Sequence, residues 1–312
     1  MNEPSARVMR KPRPLRPGDR VAVAAPAGFA DAVHLERGIT LLRQWGLEVE
    51  LPTGLFPVRY LAGTDAARAA SLTAFFEREE IAAILCVRGG YGASRLYPHF
   101  DAPVAAAHAK VFVGFSDISL VLARLLSEAG LVCFHGPMPG ADLPRLSPQA
   151  QDRFRRFLFD EPGWWNGDAL ATWRQGSCEG PLVGGCLSVL VTTLGTPYEI
   201  VTDGAVLFLE DVAEKPYRID RMLSHMRHAG KLDGVAGIVF GALEDCDDGQ
   251  GCEVLREIVL DVLGDLPCPV AAGLDAGHGS NNVVLPLGCR VRLQAGGDGA
   301  TLELCESPFA KP

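Results

Sequence analysis

The sequence predicts an α/β protein with a doubly wound parallel sheet of the flavodoxin or Rossmann kind in its N-terminal half and a second, mixed α/β domain after it. Three observations lead there. Continuous apolar strand-like runs alternate with amphipathic helix-like segments through the first 137 or so residues, the pattern of a parallel sheet buried on both faces. The pattern then decays into a stretch rich in Pro, Gly and Trp, and afterwards a second alternating series begins. At 312 residues the chain is also long for one core, since single cores stop growing at about 250–300 residues.

In order, "RVAVAAPAG" reads as a strand and "DAVHLERGITLLRQWG" as a helix, followed by "LEVELP", "DAARAASLTAFFEREE", "IAAILCVRGG", "KVFVGFS", "DISLVLARLLSEAG" and "LVCFHGPM". These define an N-terminal domain over 1–145. A linker is expected over 146–175, with one short helix near "PQAQDRFRRFLF" and with Trp164, Trp165 and Trp173 as packing residues. The second domain, 176–312, runs from "GPLVGGCLSVLVTTLGT" through "GAVLFLEDVAE", "RIDRMLSHMRHAG", "VAGIVFGAL", "CEVLREIVLDVLG" and "PVAAGLDAGHG" to "CRVRLQAGGDGATLELCE". The Gly-Gly-Asp-Gly in that closing stretch signals a hairpin.

Composition excludes several classes. Hydrophobic residues make up 48% and charged residues 21%, a globular balance, and the formal net charge is −9, so nucleic acid is not an expected partner. No apolar run reaches membrane-spanning length and no secretory leader is legible, so no membrane association and a cytoplasmic location are expected. The nine cysteines include no C-x-x-C pair and read as reduced, mostly buried thiols.

Ser116 raises the question of chemistry. It lies in "KVFVGFSDIS", where an apolar strand ends and a helix begins, and ligands of α/β sheets gather at the carboxyl ends of strands. A serine on a sharp strand-to-helix turn is held exposed, and the N–H after it, that of Asp117, is placed for an oxyanion. The alternative is that Ser116 or Asp117 only caps the helix; the segment lacks the second glycine of G-x-S-x-G.

A nucleophilic serine needs a base and an orienting acid. Of the seven histidines, His135 and His278 follow strands, and His278, flanked by Gly277 and Gly279, is the better placed; His135 reads equally as a core histidine. His225 and His228 have no accompanying ligand cluster, so no metal is expected. Glu210 is the candidate acid, with Asp211 and Glu214 as competitors. The glycines of "CVRGGYGAS" offer backbone N–H groups to an oxyanion, but they lack the G-x-G-x-x-G order and the Walker lysine of a phosphate loop, and no cofactor is expected.

Taken together, "RGGYGASRL", "VGFSDIS", "FHGPM", "GGCLSVLVTTLGTP", "LFLEDVAEKPYRIDRMLSHM" and "GHGSNNVVLPLG" resemble the LD-carboxypeptidases, a serine peptidase family that includes the microcin-immunity peptidases. The resemblance implies a triad of Ser116, His278 and Glu210 and an oxyanion hole from Gly90 and Asp117. It also implies a cytoplasmic homodimer that removes the terminal D-alanine of murein tetrapeptides in peptidoglycan recycling without a metal. An exopeptidase must bind a free carboxylate, for which Arg88 and Arg218 are candidates. Cys186 stands where many relatives carry Asn, and a thiol cannot supply an amide's paired donor and acceptor. The alternatives are a microcin-immunity-like peptidase acting on aminoacyl- or peptidyl-nucleotide amides and a non-catalytic α/β binding protein.

Overall fold

Five strands, β1 (Arg20–Ala24), β2 (Glu48–Glu50), β3 (Ile81–Cys86), β4 (Val111–Gly114) and β5 (Cys133–His135), pair in parallel in the order β2-β1-β3-β4-β5. This is the doubly wound order of flavodoxin-like sheets, whose topological switch falls between β1 and β3. The computed structural model describes residues 9–165, 167 and 169–311.

Because successive side chains of a strand point to opposite faces, the apolar strands feed two cores. Ala22, Ala24, Ile84, Cys86 and Phe112 pack with Leu72 and Phe76 of helix Asp65–Glu77. Val21, Val23, Leu85, Val111 and Phe134 pack on the other face with Leu42 of helix Ala32–Gln44 and with Phe154 and Phe157 of helix Pro148–Leu158. The helix expected within the linker therefore covers the first sheet. Its start is set by Ser147, whose hydroxyl accepts from Ala150 N, with Pro148 in the first turn.

The second sheet takes β6 (Ala171–Arg174), β7 (Gly176–Cys186), β8 (Val206–Val212), β9 (Gly237–Glu244) and β10 (Val270–Ala272). β7, β8, β9 and β10 are parallel neighbours, and β6 joins β10 antiparallel. β11 (Leu285–Leu287) then crosses back to pair antiparallel with β5 of the first sheet. β12 (Arg290–Gly296) and β13 (Gly299–Leu304) form the closing hairpin on β7, with Gly296 opposite Gly299. Each sheet thus holds a strand that the local pattern does not assign to it, and β11 ties the two together.

Trp164 packs edge-on against Phe157, Trp173 lies against Phe240, and the indole N–H of Trp165 donates to Leu302 O. Six of the nine cysteines are buried, while Cys252 and Cys305 are exposed. Among the described residues no helix is long and apolar enough to cross a membrane.

Candidate active site

The carboxyl ends of β1, β3, β4 and β5 converge on one place. Gly28, after β1, donates its N–H to Gly89 O, after β3, at 3.1 Å. Gly89 lies against Ser116, which follows β4: a Cβ on Gly89 would sit 2.8 Å from Ser116 Cβ and 2.9 Å from its Oγ. Ser116 is half-buried and has φ +61°, a left-handed conformation that a non-glycine residue holds only under tertiary constraint. A short 3₁₀ turn, Ser116–Ile118, then leads into helix Ser119–Arg124.

Neither Ser116 nor Asp117 caps that helix with its side chain. The Asp117 carboxylate instead accepts the Ala93 N–H at 2.8 Å, tying the turn to the glycine loop after β3. Burial pushes its pKa up to about 6 despite the hydrogen bonds from Ala93 and Gly92 and the charge of Arg68. Arg68, fully buried, holds the same loops from beneath, donating to the carbonyls of Gly63, Pro26 and Gly92 and pairing with Asp65.

Glu210 comes from the second sheet. It stands opposite Cys186 on β7, and the register with β9 slips between Leu209 and Asp211, the kind of irregularity that re-aims a side chain. Its carboxylate is fully buried, and Oε2 lies 2.7 Å from His278 Nδ1 and accepts the His278 backbone N–H at 3.2 Å. Burial works to raise the Glu210 pKa, but the facing imidazoles of His135 and His278 outweigh it and hold the carboxyl well below its ordinary range. For His278 burial works to lower the pKa, and Glu210 reverses this, so the imidazole lies above its usual value. The competitors are used elsewhere: Asp211 accepts from Ser188 N and Oγ, and Glu214 pairs with Arg218.

His278 occupies the loop after β10, half-buried, with its ring 4.9 Å from that of Phe115, the residue before Ser116. Gly277 makes this approach feasible: at φ +100°, its missing Cβ would fall 2.4 Å from Glu210 Oε2. The loop is fixed by Asn282, whose Oδ1 accepts Gly277 N–H at 2.9 Å and whose Nδ2 donates to Asp142 at 2.7 Å. Sequence reasoning did not single out Asp142, Asn282 or Arg68. The available signal was polar character in apolar surroundings: Asp142 and Asn282 in Gly- and apolar-rich loops, and Arg68 on the apolar face of helix Asp65–Glu77.

Of the remaining candidates, Gly90 and Arg88 lie at the glycine loop beside Ser116, and Arg218, His225 and His228 lie on a separate helix. Gly90, at φ +97°, is exposed beside Gly28 and the guanidinium of Arg88. Arg88 is exposed and its Nη1 reaches Phe29 O at 3.4 Å. Arg218, on helix Pro216–His228, is occupied by Glu214 and Tyr217. His225 and His228 lie in the last turn of that helix. Among the described residues no group of three or more His, Cys, Asp or Glu could hold a metal ion. Cys186 donates its backbone N–H to the buried Ser119 Oγ at 3.1 Å, a contact between the second sheet and the helix after Ser116.

Residues 21–136 match the family described as LD-carboxypeptidase N-terminal domain, and residues 179–293 match LD-carboxypeptidase C-terminal domain. The chain is 36% identical over 301 residues to a probable murein peptide carboxypeptidase of Bacillus subtilis, covering 94% of each chain. It is 26% identical over 317 residues to the microcin C7 self-immunity protein MccF of Escherichia coli, covering 90% of this chain and 92% of that one. The solved muramoyltetrapeptide carboxypeptidase of Oxalobacter formigenes superimposes with a TM-score of 0.79 at 28% identity, over 93% of this chain and all of that one.

Proposed function

The chain belongs to the LD-carboxypeptidase family, and from that premise we propose that it is a cytoplasmic serine carboxypeptidase releasing the C-terminal D-alanine of murein tetrapeptide in peptidoglycan recycling. The observation that carries this reading is the 2.7 Å contact between buried Glu210 and His278 Nδ1, beside a serine turn held at positive φ. An imidazole whose Nδ1–H is held by a carboxylate presents Nε2 as a base.

In this mechanism His278 Nε2 takes the Ser116 hydroxyl proton as Oγ bonds to the carbonyl carbon of the L,D-amide. Glu210 stabilises the imidazolium that forms. The N–H groups of Asp117 and Gly90 stabilise the tetrahedral oxyanion, each donor contributing roughly 3 kcal/mol at comparable sites. Collapse breaks the C–N bond and the imidazolium gives its proton to the departing amine of D-alanine. Water, deprotonated by the same imidazole, then hydrolyses the Ser116 ester and restores the hydroxyl. Arg88, beside the glycine loop, is the better candidate for the terminal carboxylate because Arg218 already has local partners. The protein acts as a homodimer in this reading.

The similarity to MccF supports a second reading, cleavage of an aminoacyl- or peptidyl-nucleotide amide by the same residues. Mass spectrometry of L-Ala-D-Glu-meso-diaminopimelate-D-Ala incubated with wild-type protein and with Ser116→Ala separates them. Loss of one alanine with the wild type alone is expected. An intact tetrapeptide with both proteins, together with cleavage of an aminoacyl-nucleotide amide, would transfer the assignment to the second reading.

A further inference from the structure

Glu210 has two carboxylate oxygens, and the pairing with His278 uses one. The other, Oε1, is buried with no hydrogen-bond partner among the described residues, and what faces it is His135 Nε2 at 3.6 Å. His135, at the end of β5, is itself fully buried and neither ring nitrogen has a hydrogen-bond partner. Its ring is wedged between Phe115, at 5.6 Å, and Phe208, at 5.0 Å, neither of which offers a competing polar group. Two orphaned polar groups of complementary chemistry therefore face each other in an apolar enclosure.

A neutral imidazole carries one N–H and one lone pair. With the proton on Nε2 the ring directs a donor at the carboxylate; with the proton on Nδ1 it directs a lone pair at an anionic oxygen. A buried carboxylate oxygen left without a donor is costly, so the first arrangement is strongly preferred. At 3.6 Å the contact is longer than a hydrogen bond, and closure by less than an ångström would bring it within range. The other titratable groups around this pair are acids: Asp211 next in the chain, Asp142 near His278, and the Cys186 and Cys246 thiols, which burial keeps protonated. None supplies a cation or competes with the imidazoles as a ring N–H donor.

We infer that His135, as the neutral Nε2–H tautomer, is a positioning residue that holds Glu210 from the side opposite His278, fixing the carboxylate so that Oε2 meets Nδ1. This rests on the reading of Glu210 as the acid that orients the base. Without the second donor the carboxylate would be free to rotate and would bind the shared proton more tightly, so the imidazole would become available as a base only at higher pH.

The test compares His135→Phe, which keeps a ring between Phe115 and Phe208, with His135→Gln, whose amide restores a donor. His135→Phe is expected to lower kcat about 10- to 100-fold with KM nearly unchanged, as loss of a group supporting a catalytic ligand does. It should also move the acid limb of the pH–kcat/KM profile upward, and His135→Gln should recover most of both. A folded His135→Phe with wild-type kcat and an unmoved acid limb would overturn the inference. Nitrogen-15 NMR of the wild-type imidazoles decides independently of the variants' folding: a proton on Nε2 of His135 supports the pairing, and a proton on Nδ1 overturns it. Should Ser116→Ala retain full activity, the catalytic reading falls, while the tautomer still reports whether His135 and Glu210 are paired.

Discussion

Gly89 and Ser116 are in contact through the position where a side chain would begin: a Cβ on residue 89 would sit 2.8 Å from Ser116 Cβ, 2.9 Å from Oγ and 3.2 Å from Asp117 N. The first glycine of the pair after β3 is thus the wall behind the serine, leaving Gly90 as the more exposed member. Gly89→Ala is expected to displace the Ser116 turn by a few tenths of an ångström or more. We expect a fall in kcat/KM of about 100-fold, the scale on which misplacing a reacting group operates, with a loss of stability of about 1–3 kcal/mol from overpacking. Steady-state kinetics and the rate of labelling by a serine-directed phosphonate check this; wild-type labelling in the variant would show that the turn is not held by that contact.

The Glu210–His278 pair sets a pH dependence. The His278 pKa is raised above its ordinary 6.5 because, although burial lowers it, the Glu210 hydrogen bond and charge raise it more. In the proposed mechanism His278 is the base and works only when neutral, so kcat/KM should rise with pH along a limb whose midpoint lies above 6.5. Stability has the matching sign: the pairing contributes fully below about 6.5 and is lost as pH rises through the raised value. Glu210, held low, contributes stability above its ordinary 4.5, lost as pH falls towards its depressed pKa. Glu210→Gln should move the kinetic limb downward while lowering kcat, and an unmoved limb would mean that another residue sets it.

The parallel sheet was legible because its strands are apolar on both faces and the intervening helices are amphipathic, a local property. The two strands that cross the expected boundaries were not. β11 is three residues that pair with Cys133–His135, about 150 positions away, and β6 is an edge strand read as linker; such pairings leave little local trace. Likewise Asp142, Asn282 and Arg68 act through partners distant in sequence, so their roles emerge only in three dimensions. Choosing Glu210 over Asp211 and Glu214 rested on resemblance in the sequence; in the fold it rests on burial and on which carboxylate reaches His278.

Asp117 carries a prediction separate from chemistry. Its carboxylate accepts the buried Ala93 N–H, so Asp117→Ala leaves that donor unpaired and is expected to cost about 1–3 kcal/mol. Asp117→Asn, which keeps an acceptor, should cost less. Because burial raises the Asp117 pKa from 3.8 to about 6, the folded state binds this proton more readily than the unfolded chain. This group's contribution therefore falls as pH rises across that window. Urea denaturation at pH 4 and pH 7 should show the slope in wild type and its reduction in Asp117→Asn.

Asn282 is the last case, because one side chain serves two loops. Its Oδ1 accepts the N–H of Gly277 and its Nδ2 donates to Asp142, whose other oxygen accepts Met138 N–H at 2.9 Å. It thereby joins the loop carrying His278 to the turn after β5. Asn282 also sits at φ +42°, a region asparagine tolerates better than alanine. Asn282→Ala is therefore expected to lose about 1–3 kcal/mol from the unpaired donor and acceptor, with additional backbone strain, and to lower kcat by loosening the His278 loop. Asn282→Asp separates the two effects: it keeps the acceptor for Gly277 but sets a second carboxylate against Asp142, and two such groups cannot both ionise cheaply. One of them must then have a raised folded pKa, so this variant should be closer to wild type at pH 5 than at pH 7. Thermal unfolding at the two pH values tests this, and an Asn282→Asp variant equally stable at both would show that Asp142 is not its partner.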